Sequence, residues 1–375
     1  MARVSTPVVP AHLRPADGRF GSGPAKVRPE ALASLAGPGA QLMGTSHRQA
    51  PVRGLVGRVR RGLAELYSLP EGWEVVLANG GSTQFWDVAT FCLVERRSAH
   101  AAFGEFSAKF ARAARRAPHL EDPVLTEVAP GSAAVPTAVE GVDAYAWAHN
   151  ETSTGACAPV RRVAGADPGA LVLVDGTSAA GGMALQVDQT DAYYFAPQKS
   201  LGSDGGLWLA FLSPAAVERA ERLAASRWVP ESLDLSVAVT NSRADQTLNT
   251  PAVATLWLLA DQLDWMAANG GLEFAVGRSR RSAEILYGWA DAHPLVTPMV
   301  APEFRSPVVG TLDLDPSVDA KQVAATLRAS GIVDTEPYRK LGRNQLRIAM
   351  FPTIDPEDVR ALTGCIDWVL EQLTA

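Results

Sequence analysis

Lys199 ends an aromatic run, AYYFAPQK (192–199), and Asp175 ends an apolar one, LVLVD (171–175), 24 residues earlier (199 minus 175). A lysine behind such a run is placed to be desolvated, which lowers its pKa and frees the amine to form a Schiff base. A carboxylate after four apolar residues is expensive to bury unless a cation answers it. Upstream, Asn79-Gly80-Gly81-Ser82-Thr83 joins the run EVVLAN (74–79) to an apolar helix, QFWDVATFCLV. Two glycines let the backbone approach a ligand closely, and a helix N-terminus with two hydroxyls suits a phosphate. This loop is neither the GxxxxGK[ST] nor the GxGxxG pattern. Taken singly, each feature has a plain structural reading: a glycine turn with a Ser/Thr cap, an Asp helix cap, an exposed lysine. The polar string His149-Asn150-Glu151-Thr152-Ser153-Thr154-Gly155, closing another apolar run, reads singly as a turn.

Together they make one kit. A phosphate cradle, a carboxylate able to pair a pyridinium nitrogen and a Schiff-base lysine are the parts required by pyridoxal phosphate. The carboxylate keeps the ring nitrogen protonated so that the ring accepts electrons, and the lysine shuttles the α-proton. An aromatic face is also needed, and Phe106, in FGEFSAKF, is available for it.

The elements that must position these residues alternate. Strand patterns at 74–79, 98–103, 142–150, 171–178, 192–199 and 206–213 are separated by helical ones, including FSAKFARAARRA and PAAVERAERLAAS with Pro214 in its first turn. That alternation predicts a doubly wound, largely parallel sheet covered on both faces, with ligands bound beyond the carboxyl ends of its strands. A long helical region over about 251–292 then leads to SPVVGTLDL, AKQVAATLRASG, QLRIAMF and PEDVRALTGCIDWVLEQL, an α+β pattern that predicts a smaller second domain.

The 375 residues are 47% apolar and 20% charged, ample for a sizeable core, and the charge of −6 with no basic face or run argues against nucleic-acid binding. No stretch reaches the roughly 18 apolar residues of a membrane span. Residues 1–17 lack the apolar run of a signal peptide, and three scattered cysteines suit a reducing compartment, so a cytoplasmic protein is expected. Six histidines show no HExxH or comparable spacing, so no metal is expected. A nucleotide-binding oxidoreductase on a similar sheet explains neither Asp175 nor Lys199.

The chain resembles the phosphoserine aminotransferase family of fold-type I pyridoxal-phosphate enzymes. The likeness rests on RFGSGPAKV (19–27), GTSHRQ (44–49), NGGSTQFW (79–86), AHNETSTG (148–155), DGTS (175–178), APQKSLGSDGG (196–206), LNTPA (248–252) and IVDTEPYRKLGRNQLRIAMFP (332–352). It implies an α/β fold with an extended arm (1–17), a large cofactor domain with a mostly parallel seven-stranded sheet (18–255) and a small α+β domain (256–375).

It implies that Lys199 forms the Schiff base, Asp175 pairs the pyridine nitrogen, Phe106 stacks on the ring and Thr152 bonds the ring hydroxyl. Ser82, Thr83 and Gln198 serve the cofactor phosphate, joined by Asn249 and Thr250 of a neighbouring subunit in a homodimer with shared sites. His47 and Arg48 recognise the anionic substrates, and Arg347 holds the α-carboxylate. Many relatives carry Gly-His-Arg before that arginine; here Arg339, Lys340 or Arg343 stands in, with Arg343 carried among the substrate residues. The implied reaction passes the amino group of glutamate to 3-phosphohydroxypyruvate, giving O-phosphoserine and 2-oxoglutarate. Relatives also transaminate a phosphorylated hydroxythreonine precursor of pyridoxine. Within the same fold, a serine–glyoxylate-type aminotransferase or a cysteine desulfurase is the alternative.

Overall fold

The computed structural model describes residues 7–374. Its large sheet has seven strands: β1 (Glu74–Gly80), β2 (Ser98–Ala102), β3 (Val124–Glu127), β4 (Ala144–Ala148), β7 (Leu171–Asp175), β8 (Ala192–Phe195) and β9 (Gly206–Leu212), in the order β1-β9-β8-β7-β4-β2-β3. Between β4 and β7 lies a two-residue ladder, β5 (Asn150–Glu151) with β6 (Ala156–Cys157). β2, β3, β4, β7 and β8 pair in parallel, whereas β9 runs against both neighbours. The interior strands β2, β4, β7 and β8 are buried at every position, as a sheet covered on both faces requires.

The helices that cover it and set the site are α1 (Pro29–Ala36), α2 (Ala50–Leu66), α3 (Ser82–Cys92), α4 (Glu105–Arg116), α5 (Pro214–Ser226) and α6 (Leu235–Arg243). α5 begins with Ser213 accepting from the Ala216 amide and Pro214 behind it, so its sequence carries its own start signal. The helical region expected over 251–292 is two helices, α7 (Val253–Ala268) and α8 (Gly271–Ala292). They part at Gly270 and Gly271, whose φ values of +113° and +70° favour glycine at both positions.

A three-stranded antiparallel sheet, β10 (Val296–Pro298), β11 (Val309–Leu314) and β12 (Gln345–Ala349), packs with α9 (Ala320–Ala329) and α10 (Pro356–Thr374). Val9 and Phe20, both fully buried, belong to this same small core. The Phe20 amide donates to the Val333 carbonyl and its carbonyl accepts from the Ala349 amide. Residues 18–20 therefore pack with the C-terminal elements, and the chain leaves them directly toward the ends of β7 and β8. No helix among the described residues is long and apolar enough to cross a membrane.

Candidate active site

The carboxyl ends of the parallel strands converge on one cavity of about 410 Å³. Ser82, Thr83, Phe106, Thr152, Asp175, Gln198 and Lys199, expected from the sequence, all line it. So does Gly81 of the glycine pair, together with Gly23, Pro24, Trp86, Asn150, Thr177, Asp204 and Gly205, which were given no role from the sequence.

Asp175 ends β7 almost fully buried. One carboxylate oxygen accepts from the Thr177 amide at 2.9 Å and from the Thr177 hydroxyl. Burial pushes this carboxyl up to about 6, and the bonds from Thr177 hold it from going higher. The Thr177 oxygen lies 2.6 Å from the Ser82 hydroxyl. Its single proton goes to the carboxylate, so Ser82 must donate to Thr177. The two ends of the cavity, the α3 N-terminus and Asp175, are thereby one hydrogen-bonded chain. Trp86 borders the same wall, its indole N–H donating to the Tyr194 hydroxyl at 3.1 Å.

Lys199 reaches across from the β8–β9 connection, and its Nζ donates to the Ser22 carbonyl at 2.5 Å. Burial, with help from the Arg347 charge, lowers the ammonium to about 8, while Asp175 and Glu151 oppose that fall. Gly23 is what admits the side chain: a Cβ there would sit 2.0 Å from Nζ. The string RFGSGPAKV contains this residue, but nothing local in the sequence says that it meets a lysine so far along the chain.

Phe106 stands on the first turn of α4, and the device that fixes it was not foreseen. Glu151, with no exposed surface, accepts from the Phe106 and Ser107 amides at 3.1 and 2.9 Å and from the Ser107 hydroxyl at 2.9 Å. Its other oxygen accepts from the Ser153 amide and hydroxyl at 3.2 and 2.7 Å. The α4 N-cap is Gly104, which has no side chain to cap with, and a carboxylate from β5 does that work instead. One buried anion thus ties the Phe106 helix to the strand end that carries Thr152.

From the small sheet, the Arg347 Nη1 donates to the Thr152 carbonyl at 3.3 Å, and its guanidinium lies 5.5 Å from the Tyr338 ring centroid. Tyr338 in turn lies 5.8 Å, centroid to centroid, from Phe106. Arg343, by contrast, is not brought to the cavity. Antiparallel pairing sets Asp313 opposite Gln345, and the Arg343 guanidinium is consumed by Asp313, with Nε at 3.0 Å. Lys340 pairs with Glu105 at 2.5 Å, beside Phe106.

His47, Arg48, Asn249 and Thr250 also lie outside the lining of their own chain's cavity. They gather on the surface with one another: His47 Nδ1 is 3.1 Å from the Thr250 hydroxyl, and Arg48 donates to Gln246 Oε1 at 3.0 Å. Asn249, Thr250 and Arg48 are exposed.

The walls suit a phosphorylated pyridine. Asn150 Oδ1, Gln198 Oε1 and Ser22 Oγ are buried with no hydrogen-bond partner, and buried polar atoms ordinarily have one. At one end, the α3 N-terminus leaves the first-turn N–H groups of Ser82 and Thr83 without helical acceptors. At the other, a carboxylate waits against Trp86 and Thr177. Between them lie an amine of lowered pKa and the aromatic edge of Phe106. No cysteine lines the cavity among the described residues.

The sequence model of the aminotransferase class-V family matches residues 122–335 of the chain. A phosphoserine aminotransferase of a Nocardioides species is 60% identical over 368 residues, covering 97% of this chain and 98% of the relative. Among solved structures, a phosphoserine aminotransferase of Cytophaga hutchinsonii superposes with a TM-score of 0.84 at 20% identity, covering 94% of this chain and 99% of that one. An aspartate aminotransferase of Thermus thermophilus gives 0.82 at 25% identity, with coverage of 94% and 99%. The two structures share the fold of this chain.

Proposed function

We infer the reaction from one premise: the chain belongs to the aminotransferase class-V family, which matches more than half of its length, and a relative matched over nearly its full length is a phosphoserine aminotransferase. It is a pyridoxal-phosphate-dependent enzyme of amino-acid biosynthesis that passes the amino group of L-glutamate to 3-phosphohydroxypyruvate, forming O-phospho-L-serine and 2-oxoglutarate. The observation that carries this reading is the single cavity joining Lys199, Asp175 and the α3 N-terminus.

When bound, pyridoxal phosphate supplies an aldehyde that condenses with amines and a protonated ring that draws electrons from the adjacent carbon. The chain's residues divide the rest. Ser82 and Thr83, with Gln198 beside them, hold the phosphate through N–H, hydroxyl and amide donors. Asp175 accepts the ring N–H and keeps that proton in place, and Thr177 holds the carboxylate to the task. Thr152 donates to the ring oxygen, and Phe106 covers a ring face, steadied by Glu151. Lys199, with its ammonium lowered to about 8, gives up its proton far more readily than a solvated lysine. Its Nζ would then serve as the base that takes the α-proton of glutamate and holds it for return. Arg347 fits the substrate α-carboxylate, which a guanidinium grips with two parallel bonds. Because Arg343 is committed to Asp313 and Lys340 to Glu105, Arg339 is the cation of that loop left for the substrate phosphate.

Half-buried His47 and exposed Arg48, Asn249 and Thr250, all outside their own cavity, are read as contributions to the site of a second copy in a two-fold dimer. Two-fold symmetry makes such an exchange reciprocal. The division into arm, large and small domains, and a cytoplasmic location, belong to the same reading.

Hybrid dimers test it. Lys199→Ala and Arg48→Ala variants should each be inactive alone, while their co-expressed mixture regains about a quarter of wild-type activity, because a hybrid keeps one whole site. No recovery from a mixture shown to contain hybrids would remove the shared-site reading.

A further inference from the structure

A second cavity, of about 600 Å³, opens beside the first and shares Thr83 and Trp86 with it. One side of it is α4. Lys109, Arg112 and Arg116 fall at helical spacing on a common face, and Lys340 from the loop before β12 closes the ring opposite. Two carboxylates, Asp87 and Glu105, stand against these four cations. Glu105 serves three of them at once: Lys340 at 2.5 Å, and Lys109 and Arg112 at 3.5 Å each. Arg116 has no acidic partner among the described residues and is exposed. Asp87, the other carboxylate, makes no ion pair with the four cations within 4.0 Å among the described residues, and burial raises its carboxyl above the usual range. On a chain of net charge −6, this is a local reversal of sign placed at the side of the active cavity.

We propose that this groove is an anion-collecting antechamber, in which the phosphomonoester of the phosphorylated substrate docks before it passes Thr83 and Trp86 into the cavity. The inference rests on the reaction assigned above. A concave, cationic surface concentrates oppositely charged ligands and accelerates their encounter, by about 10–1,000-fold in steered systems. The gain grows with ligand charge and fades as salt shortens the Debye length to about 8 Å at physiological ionic strength. A phosphorylated keto acid carries more negative charge than glutamate, so the groove favours the second half-reaction over the first.

The test uses the holoenzyme. Its pyridoxamine form is mixed rapidly with 3-phosphohydroxypyruvate, and the bimolecular rate constant is measured from low to high salt. The same is done for the pyridoxal form with glutamate. Arg112→Gln/Arg116→Gln should slow the phosphohydroxypyruvate reaction about tenfold at low salt and flatten its salt dependence. The glutamate reaction should change by less than about twofold, since a weakly charged ligand is weakly steered. Arg115→Gln, an exposed charge outside the groove lining, controls for helix charge as such and should leave both rates in place. Wild-type rates with a shallow salt slope, or a double variant that keeps the wild-type rate, would overturn the antechamber while leaving the assigned reaction intact. A wild-type pyridoxamine form that does not react with phosphohydroxypyruvate would instead remove the assigned reaction and the antechamber with it.

Discussion

Thr177→Val isolates one hydrogen bond on the carboxylate that faces the proposed ring nitrogen. Valine matches threonine in shape and keeps the backbone N–H bond to Asp175 at 2.9 Å, but it removes the hydroxyl donor. A hydrogen bond to a charged group contributes about 1.5–3 kcal/mol. At about 1.4 kcal/mol per pH unit, losing it should carry Asp175 upward by about 1–2 pH units from its present value near 6. The sign follows directly: a protonated ring nitrogen needs an ionised Asp175, so cofactor affinity falls as pH drops through that pKa. The acid limb of the affinity profile should therefore move upward in the variant, and affinity at pH 7 should drop by about two- to tenfold, as the ionised fraction of Asp175 falls. Pyridoxamine 5′-phosphate is the suitable probe, because its amine cannot condense with Lys199. Its dissociation constant from the apoprotein is read by tryptophan fluorescence, Trp86 being in the cavity wall, across pH 5–9. Ser82→Ala gives the contrast: it weakens binding at all pH values while leaving the acid limb close to its wild-type position. An acid limb that stays put in Thr177→Val would refute the hydroxyl's role in ionising Asp175.

Lys199→Met should make the apoprotein more stable, by up to about 3 kcal/mol, since burial lowers the ammonium from 10.5 to about 8 and each pH unit is worth about 1.4 kcal/mol. Below pH 8 the buried charge is fully penalised; between pH 8 and 10.5 the folded lysine sheds its proton before the unfolded one and the wild type recovers. The advantage of the variant in urea titrations should shrink across that window, and a constant or absent advantage would contradict it. Glu151→Ala strips five donors of their shared acceptor at a fully buried position, which should cost at least about 3 kcal/mol in the same titrations and weaken cofactor binding as Phe106 loosens. A loss under about 1 kcal/mol would mean that the helix is held by other contacts.

Much of the site is legible before any coordinates because its key residues sit where local patterns end. Lys199, Asp175 and Ser82-Thr83 each follow or precede an apolar run, and a parallel sheet gathers such ends on one side. What escapes is decided by contacts remote in sequence. Ser22 and Gly23 meet Lys199 because Phe20 anchors in the small core, a fact that no local string contains. Glu151 reads as one more polar residue in a turn until β5 and α4 are seen together. The reversal of β9 is equally silent, since GLWLAFL has the same buried pattern in either direction. Arg343 looks free in a basic loop, and only the β11–β12 register shows Asp313 consuming it.

The absorbance spectrum of the holoenzyme tests the central claim most directly. A visible band from pyridoxal phosphate bound to Lys199 is expected, which glutamate converts to the pyridoxamine spectrum and 3-phosphohydroxypyruvate restores. A band indifferent to glutamate, or protein that shows no band after pyridoxal phosphate is supplied, would contradict it.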